Sequence, residues 1–120
     1  MRYGRLTDEF RERTKKFAAG VIRLYVKLPK ERAEVSVLGK QLLRAGTSVA
    51  AHVREASRAR SDAEFLSKLG GALQEADESQ LWLELLHEEC SIDNGDTDPL
   101  HVEAGELIAI MTTIVRRTRE

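Results

Sequence analysis

The apolar residues of this chain recur at intervals of three and four along almost its whole length, and this spacing constrains the fold more than any other feature. Side chains three, four and seven positions apart share one face of an α-helix, whereas a half-buried strand needs strict alternation. The chain has only two prolines and few runs of β-branched residues. The sequence therefore predicts an all-α protein.

Two helices are predicted in the first half of the chain. The first covers about 7–28, with Thr7 or Asp8 capping its free amides and Pro29 ending it. The second covers about 32–59. Their predicted inward stripes are Phe10, Phe17, Val21, Leu24 and Leu28, then Val35, Leu38, Leu42, Ala45, Val49, Val53 and Ala56.

Two more helices are predicted in the second half. The third opens with a capping box, in which Ser61 and Glu64 satisfy each other's backbone amides, and runs to about Cys90. Residues 91–97 are typical of a turn, so Asp98 is the expected N-cap of the fourth helix and Pro99 its first residue. The predicted inward residues are Leu66, Leu69, Leu73, Ala76 and Leu83, then Leu100, Ala104, Leu107, Met111 and Ile114.

Four helices with short connections favour an antiparallel, up-down-up-down four-helix bundle, and 120 residues suit a single domain over 1–120. No apolar run approaches the roughly 20 residues that span a bilayer, and residues 1–9 contain no apolar signal region. The one cysteine, Cys90, excludes an internal disulfide and fits a reducing compartment. We therefore expect a cytoplasmic protein with no membrane partner.

Charge is divided unequally between the two halves of the chain. Residues 1–60 carry 15 Lys and Arg against 6 Asp and Glu, a net charge of +9. Residues 61–120 carry 4 against 14, a net charge of -10. Such an asymmetry indicates either an anionic partner for the basic half or pairing of the two halves with each other.

Two surfaces are predicted to do more than fill a core. The second helix has small residues at 46, 48, 50 and 51, which let another helix approach closely. The third helix is apolar on nearly every side over two turns, and a helix of this kind must be buried on more than one side. We expect this segment to form a subunit interface, made by Leu81, Trp82, Leu85 and Leu86.

A polar stripe is predicted between the second and third helices. It consists of Arg44, Ser48, His52 and Glu55 on one helix and Glu75 and Glu78 on the other. One interpretation is that Arg44 pairs with Glu75 or Glu78 and fixes the register of the helices. The other is that the stripe is a binding surface in an assembly.

Basic residues supply candidates for nucleic-acid binding, because guanidinium and ammonium groups bind phosphates. Arg54 and Arg58 stand one turn apart and could follow one phosphate backbone. The alternative is a solvated face, or pairing with the acidic helices. The candidates are Arg2, Arg5, Arg11, Arg13, Lys15, Lys16, Arg54, Arg58 and Arg60.

Catalytic and metal sites have weaker signals. The sequence contains no nucleophile elbow or Gly-rich phosphate loop, and no cofactor is expected. Glu84 and His87 resemble half of a di-iron site in a helical bundle, and Asp98 with His101 repeats the spacing. A metal-binding bundle that uses Glu84 and His87 is therefore the alternative to a non-enzymatic protein.

Three motifs in the middle of the chain are recognisable together. They are Arg-x-Gly-Thr-Ser at 44–48, Glu-Ala-x-Glu at 75–78 and Trp-Leu-x-Leu-Leu at 82–86, preceded by Leu-Pro-Lys-Glu at 28–31. Over about residues 10–115 the chain resembles the four-helix-bundle family of 23S rRNA intervening-sequence proteins. That family is related to the accessory variability protein of diversity-generating retroelements.

The resemblance implies a ring-like homopentamer of unassigned biochemical role. The retroelement relatives act as nucleic-acid-binding partners of a reverse transcriptase, so the resemblance implies partners of these two kinds. Two features depart from the family: His52 stands where Asn is more usual, and this chain is slightly acidic where the retroelement members are basic. The expected function is therefore a non-enzymatic assembly or adaptor module with RNA, DNA or a nucleic-acid enzyme as partner.

Overall fold

The protein consists of four α-helices in a computed structural model that describes residues 6–120. They are α1 (Asp8–Lys27), α2 (Ala33–Ser57), α3 (Asp62–Glu88) and α4 (Asn94–Arg119). No strand occurs within 6–120. The prediction of an all-α protein with four helices is confirmed.

The first three helices begin where the sequence predicts. The Thr7 side chain accepts a hydrogen bond of 3.0 Å from the Phe10 amide, and Ser61 Oγ accepts one of 3.0 Å from the Glu64 amide. These bonds satisfy amides that lack partners inside the helix. The Glu64 carboxylate lies 3.7 Å from the Arg60 guanidinium, so the cap of α3 is linked to the preceding turn by an ion pair.

The predicted start of the fourth helix is wrong by five residues. Asp93, not Asp98, is the N-cap, and its side chain accepts a hydrogen bond of 2.6 Å from the Gly95 amide. The Thr97 amide then bonds to the Asp93 carbonyl at 3.3 Å, so the turn-forming residues are already helical. Pro99 lies more than one turn inside the helix, so the hydrogen bond that an amide at this position would donate to the Gly95 carbonyl is missing.

The helices pack along their lengths in a body of 48 × 21 × 19 Å. Each helix contacts the next in the chain, and α4 also contacts α1, although this is the least extensive of the four contacts. Contacts between individual residues show which turns of neighbouring helices meet. A Cβ on Gly39 would meet Leu28 and one on Gly46 would meet Val21, while Arg13 pairs with Glu103 and Lys27 with Asp96.

The core confirms the predicted stripe of α1 and, apart from the half-buried Leu38, that of α2, but it corrects the stripe of α3. In α4 the predicted Leu100 and Ile114 are half-buried, and the other three predicted residues are fully buried. The predicted Leu66 and Leu73 are only half-buried, and Phe65, which the stripe omitted, is fully buried. Since α3 is apolar around most of its circumference, its sequence does not define which side faces inward. The buried set of α3 is Phe65, Leu69, Ala72, Ala76, Ser79, Leu83 and Leu86.

Two glycines of α2 and α3 permit close helix contacts. A Cβ on Gly46 would lie 2.7 Å from Cγ2 of Val21, and one on Gly71 would lie 3.1 Å from the His52 ring. Gly70, its neighbour, has nothing within 4 Å of an added Cβ. The mid-helix glycine pair thus contributes close packing through Gly71 alone. Within 6–120, none of the helices is long and apolar enough to cross a membrane.

We expect Gly46→Ala to destabilise the protein and Gly70→Ala to stabilise it. The new methyl group at position 46 collides with Val21, a fully buried β-branched side chain that cannot rotate away, at a cost of about 1–3 kcal/mol. At position 70 only the better helix propensity of Ala remains, worth about 1 kcal/mol. Urea unfolding of both variants measures the difference, and equal stability would contradict the close contact.

Candidate nucleic-acid interface

A wide groove lies across one end of the protein, where α1 begins, α2 ends and α3 begins. Its volume is about 1310 Å³. The lining combines small and apolar residues of α2 with charged side chains from all three helices. It is lined by Asp8, Arg11, Glu12, Thr14, Lys15, Ala50, Ala51, Val53, Arg54, Glu55, Ser57, Arg58, Glu64 and Lys68.

Three cations that line this groove have no partner within the described residues 6–120. They are Lys15 of α1 and Arg54 and Arg58 of α2, and all three are exposed. The other two cations are engaged: Arg11 pairs with Asp8, and Lys68 Nζ lies 3.8 Å from Glu55. The groove therefore offers three free positive charges to an anion. We call Lys15, Arg54 and Arg58 the free cations of the groove.

The structure removes Arg13 from the candidate phosphate-binding residues. Its guanidinium bonds to Glu103 at 2.7 and 2.8 Å and to Glu106 at 2.6 Å, both on α4. The hydrogen bonds that Arg13 donates to Glu103, and then the one that it donates to Glu106, raise the pKa of Arg13 above its usual range. Arg13 thus joins α1 to α4, whose contact is the least extensive of the four main helix contacts.

The remaining basic candidates lie outside the groove lining. Lys16 is exposed on α1, and Arg60 is exposed and pairs with Glu64. Arg2 and Arg5 lie outside the described residues. Lys68 is a groove residue that the sequence did not indicate, because only the packing of α3 against α2 places it there.

Charge is also divided between the two ends of the helices. When each helix is halved, residues 6–17, 46–74 and 107–120 form the end that holds the groove. They carry 11 Lys and Arg against 7 Asp and Glu, a net charge of +4. The other end, 18–45 and 75–106, carries 6 against 13, a net charge of -7. The groove is therefore on the positive end.

The residues predicted to form a polar stripe between α2 and α3 lie close together in the structure. Arg44 lies 3.3 Å from a carboxylate oxygen of Glu75 and 3.3 Å from one of Glu78. His52 Nδ1 lies 3.1 Å from Glu55, and the ring packs over Gly71. The Arg44 pairs and the contact of His52 with Gly71 join α2 to α3, whereas the His52–Glu55 pair lies within α2. Ser48 lies half-buried between them.

The four residues predicted for a subunit interface have different environments. Leu86 is fully buried inside the subunit, which removes it from the predicted interface. Leu81 is exposed on the outer side of α3, while Trp82 and Leu85 are half-buried. The spacing could not distinguish Leu86 from the others because all four lie in the same apolar run.

The structure does not support the metal-binding alternative. Glu84 Oε2 lies 2.7 Å from His101 Nε2, whereas His87 Nδ1 lies 2.8 Å from the Ile92 carbonyl. The two proposed ligands therefore face different partners. Across 6–120, no group of three or more His, Cys, Asp or Glu side chains is placed to hold a metal ion.

We expect Arg13→Ala to lower the free energy of unfolding by about 1 kcal/mol, because a bidentate, half-buried guanidinium contact between helices is lost. Lys16→Ala, three residues along the same helix, removes an exposed cation and should stay within about 0.5 kcal/mol of the parent protein. Denaturant unfolding of the two variants tests the assignment. Equal losses would show that Arg13 contributes only charge.

Comparisons with known proteins give a family. A family model described as "23S rRNA-intervening sequence protein" matches residues 8–113. The fold is similar to the crystal structure of a protein of unknown function from the S23 ribosomal protein family of Bacteroides thetaiotaomicron VPI-5482. The two are 34% identical with a TM-score of 0.80, over 88% of this chain and 96% of that one. The comparison with curated proteins found no match. This chain belongs to the 23S rRNA-intervening sequence protein family.

Proposed function

We propose that this protein is a non-enzymatic, self-assembling module that binds the phosphate backbone of nucleic acid in the groove between α1, α2 and α3. The observation that carries the proposal is the convergence of the free cations Lys15, Arg54 and Arg58 on one groove. In this proposal the subunit is an up-down-up-down bundle, and the assembly presents several grooves to one partner.

The size of the groove favours a macromolecule. Pockets for small molecules occupy about 300–1000 Å³, and the groove exceeds that range at about 1310 Å³. It is open and crosses three helices, so an extended ligand can lie along it. A phosphate backbone supplies negative charge at regular intervals along such a path.

The lining favours a duplex over a single strand. Single-stranded nucleic acids are usually held by aromatic side chains on which bases stack. No aromatic side chain lines the groove among the described residues. The names of the family and of the solved relative refer to rRNA and to the ribosome, so an RNA duplex is the first probe.

The affinity should be modest and strongly salt-dependent. The groove lining carries five cations and four carboxylates, a net charge of only +1. Binding of this electrostatic kind without base contacts has a Kd of roughly 10⁻⁴ to 10⁻⁶ M at physiological salt. Several grooves in one assembly would raise the affinity by avidity without any new contact.

Self-assembly is the second part of the proposal. Leu81 is exposed in the subunit, and Leu85 is half-buried close to it on the outer side of α3. The proposed assembly is the ring-like homopentamer that the family resemblance implies. A reverse transcriptase or another nucleic-acid enzyme is the proposed class of protein partner for such an adaptor.

We expect Arg54→Ala/Arg58→Ala to weaken binding of an RNA duplex and to reduce the slope of log K against log salt. Each lost phosphate contact reduces that slope by about one, so the double variant should lose about two for each subunit in contact. Fluorescence anisotropy of a labelled duplex over a salt series measures both quantities.

The matched control is Lys16→Ala/Lys40→Ala, which removes two exposed cations outside the groove. It should leave the slope unchanged. If both double variants weaken binding equally, overall charge rather than the groove attracts RNA. No binding by the parent protein at low salt would end the nucleic-acid proposal, and a monomer by light scattering at micromolar concentration would end the assembly proposal.

A further inference from the structure

A second cavity lies at the opposite, acidic end, between the last turns of α3 and the first turns of α4. Its volume is about 280 Å³. A water molecule takes up roughly 30 Å³, so the cavity has room for more than one or two waters. It is lined by Leu83, Glu84, His87, Glu88, Thr97, Asp98 and His101. We call it the acidic cavity.

The two imidazoles of the acidic cavity are held by partners inside the subunit. A carbonyl only accepts hydrogen bonds, so His87 Nδ1 carries the proton that it donates to Ile92 at 2.8 Å. In the same way, His101 Nε2 donates to the Glu84 carboxylate at 2.7 Å. These two hydrogen bonds fix both rings and the Glu84 carboxylate as walls of the cavity.

Other groups that line the cavity have no partner within residues 6–120. The carboxylates of Glu88 and Asp98 are exposed and unpaired. Thr97 is only 2% exposed, yet its hydroxyl oxygen makes no hydrogen bond. Buried polar groups are nearly always hydrogen-bonded, so the Thr97 hydroxyl is a group of the cavity lining that still lacks a partner.

The chemistry of these groups selects a cationic donor. Two free carboxylates and a hydroxyl can together accept several hydrogen bonds, and the carboxylates favour positive charge. A guanidinium presents five N–H donors in a planar fork that matches carboxylates. The cavity, at about 280 Å³, lies at the lower edge of the range for small organic ligands, about 300–1000 Å³, and has room for the head of one side chain.

Exposed apolar residues beside the acidic cavity point to a protein surface as the source of that side chain. Leu81 precedes Glu84 by one turn and is 45% exposed, and Val102 follows Asp98 by one turn and is 58% exposed. A free cation or polyamine would leave both residues in water. A helix with a basic residue between two apolar ones would cover them.

The outer surface of α1 has this pattern. Ile22 is 45% exposed and Val26 is 70% exposed, and the two lie one turn apart. Arg23, beside them, is exposed and has no partner within the described residues. The surface therefore offers an unpaired guanidinium with apolar neighbours on the same chain that carries the acidic cavity.

We propose that the acidic cavity of one subunit receives Arg23 of a second copy of this chain, with Ile22 and Val26 of that copy covering Leu81 and Val102. This inference rests on the proposed self-assembly and supplies its contact. Since the donor surface on α1 and the acceptor surface on α3 and α4 differ, each copy uses both. A head-to-tail contact of this kind generates a closed ring when its rotation closes.

The test is a pair of charge reversals, Arg23→Glu and Asp98→Arg, followed by light scattering and sedimentation over a range of protein concentrations. Asp98 is not the cap of α4, so its reversal leaves the start of the helix intact. Each single reversal should raise the dissociation constant of the assembly by roughly tenfold or more. The variant with both reversals restores an opposite pair and should recover assembly.

Lys40→Glu is the control, because it reverses an equally exposed and unpaired cation elsewhere on the chain. It should assemble like the parent, and circular dichroism verifies that every variant is folded. If the parent assembles and both single reversals assemble equally well, the docking inference is overturned while self-assembly stands. If only Asp98→Arg disrupts assembly, the cavity receives a cation other than Arg23 and the assignment is overturned. If the parent protein is a monomer, the proposal of self-assembly is itself contradicted.

Discussion

The structure depends on the close approach of α2 to the helices on both of its sides. Gly46 lets α2 lie directly against Val21 of α1, and Gly71 lets α3 lie against the His52 ring of α2. Both contacts leave no room for a methyl group without movement of the neighbouring side chain. Because α2 is fixed against α1 and α3 together, the end of α2 brings Arg54 and Arg58 to the same groove as Lys15.

Ion pairs between helices complete this arrangement and explain where the charge asymmetry of the sequence goes. Arg13 pairs with Glu103 and Glu106 between α1 and α4, and Arg44 lies between Glu75 and Glu78 on α3. These contacts join the basic half of the chain to the acidic half within one subunit. Pairs that stay partly in contact with solvent contribute about 1 kcal/mol or less, so they add to the close helix contacts rather than replace them.

The sequence predicts the helices well and their inward faces unevenly. The stripes of α1 and α2 are amphipathic, so their core residues follow from spacing alone. The core residues of α3 do not follow from spacing, because leucines surround this helix. Only the packing of the helices assigns Phe65 and Leu86 to the core. The start of α4 was missed since Asp93 and Asp98 are equally good N-caps, and the choice depends on tertiary contacts.

The candidate sites were less accessible to sequence reasoning, because a charged residue carries no mark of whether it is paired. Arg13 and Arg54 have the same chemistry, but only the position of α4 shows that the first is engaged and the second is free. The unpaired charged residues of the two sites also lie at opposite ends of the subunit. Unpaired cations line the groove at one end, and the unpaired carboxylates of Glu88 and Asp98 line the acidic cavity at the other. The two surfaces therefore differ in the charge that they attract, negative at the groove and positive at the cavity.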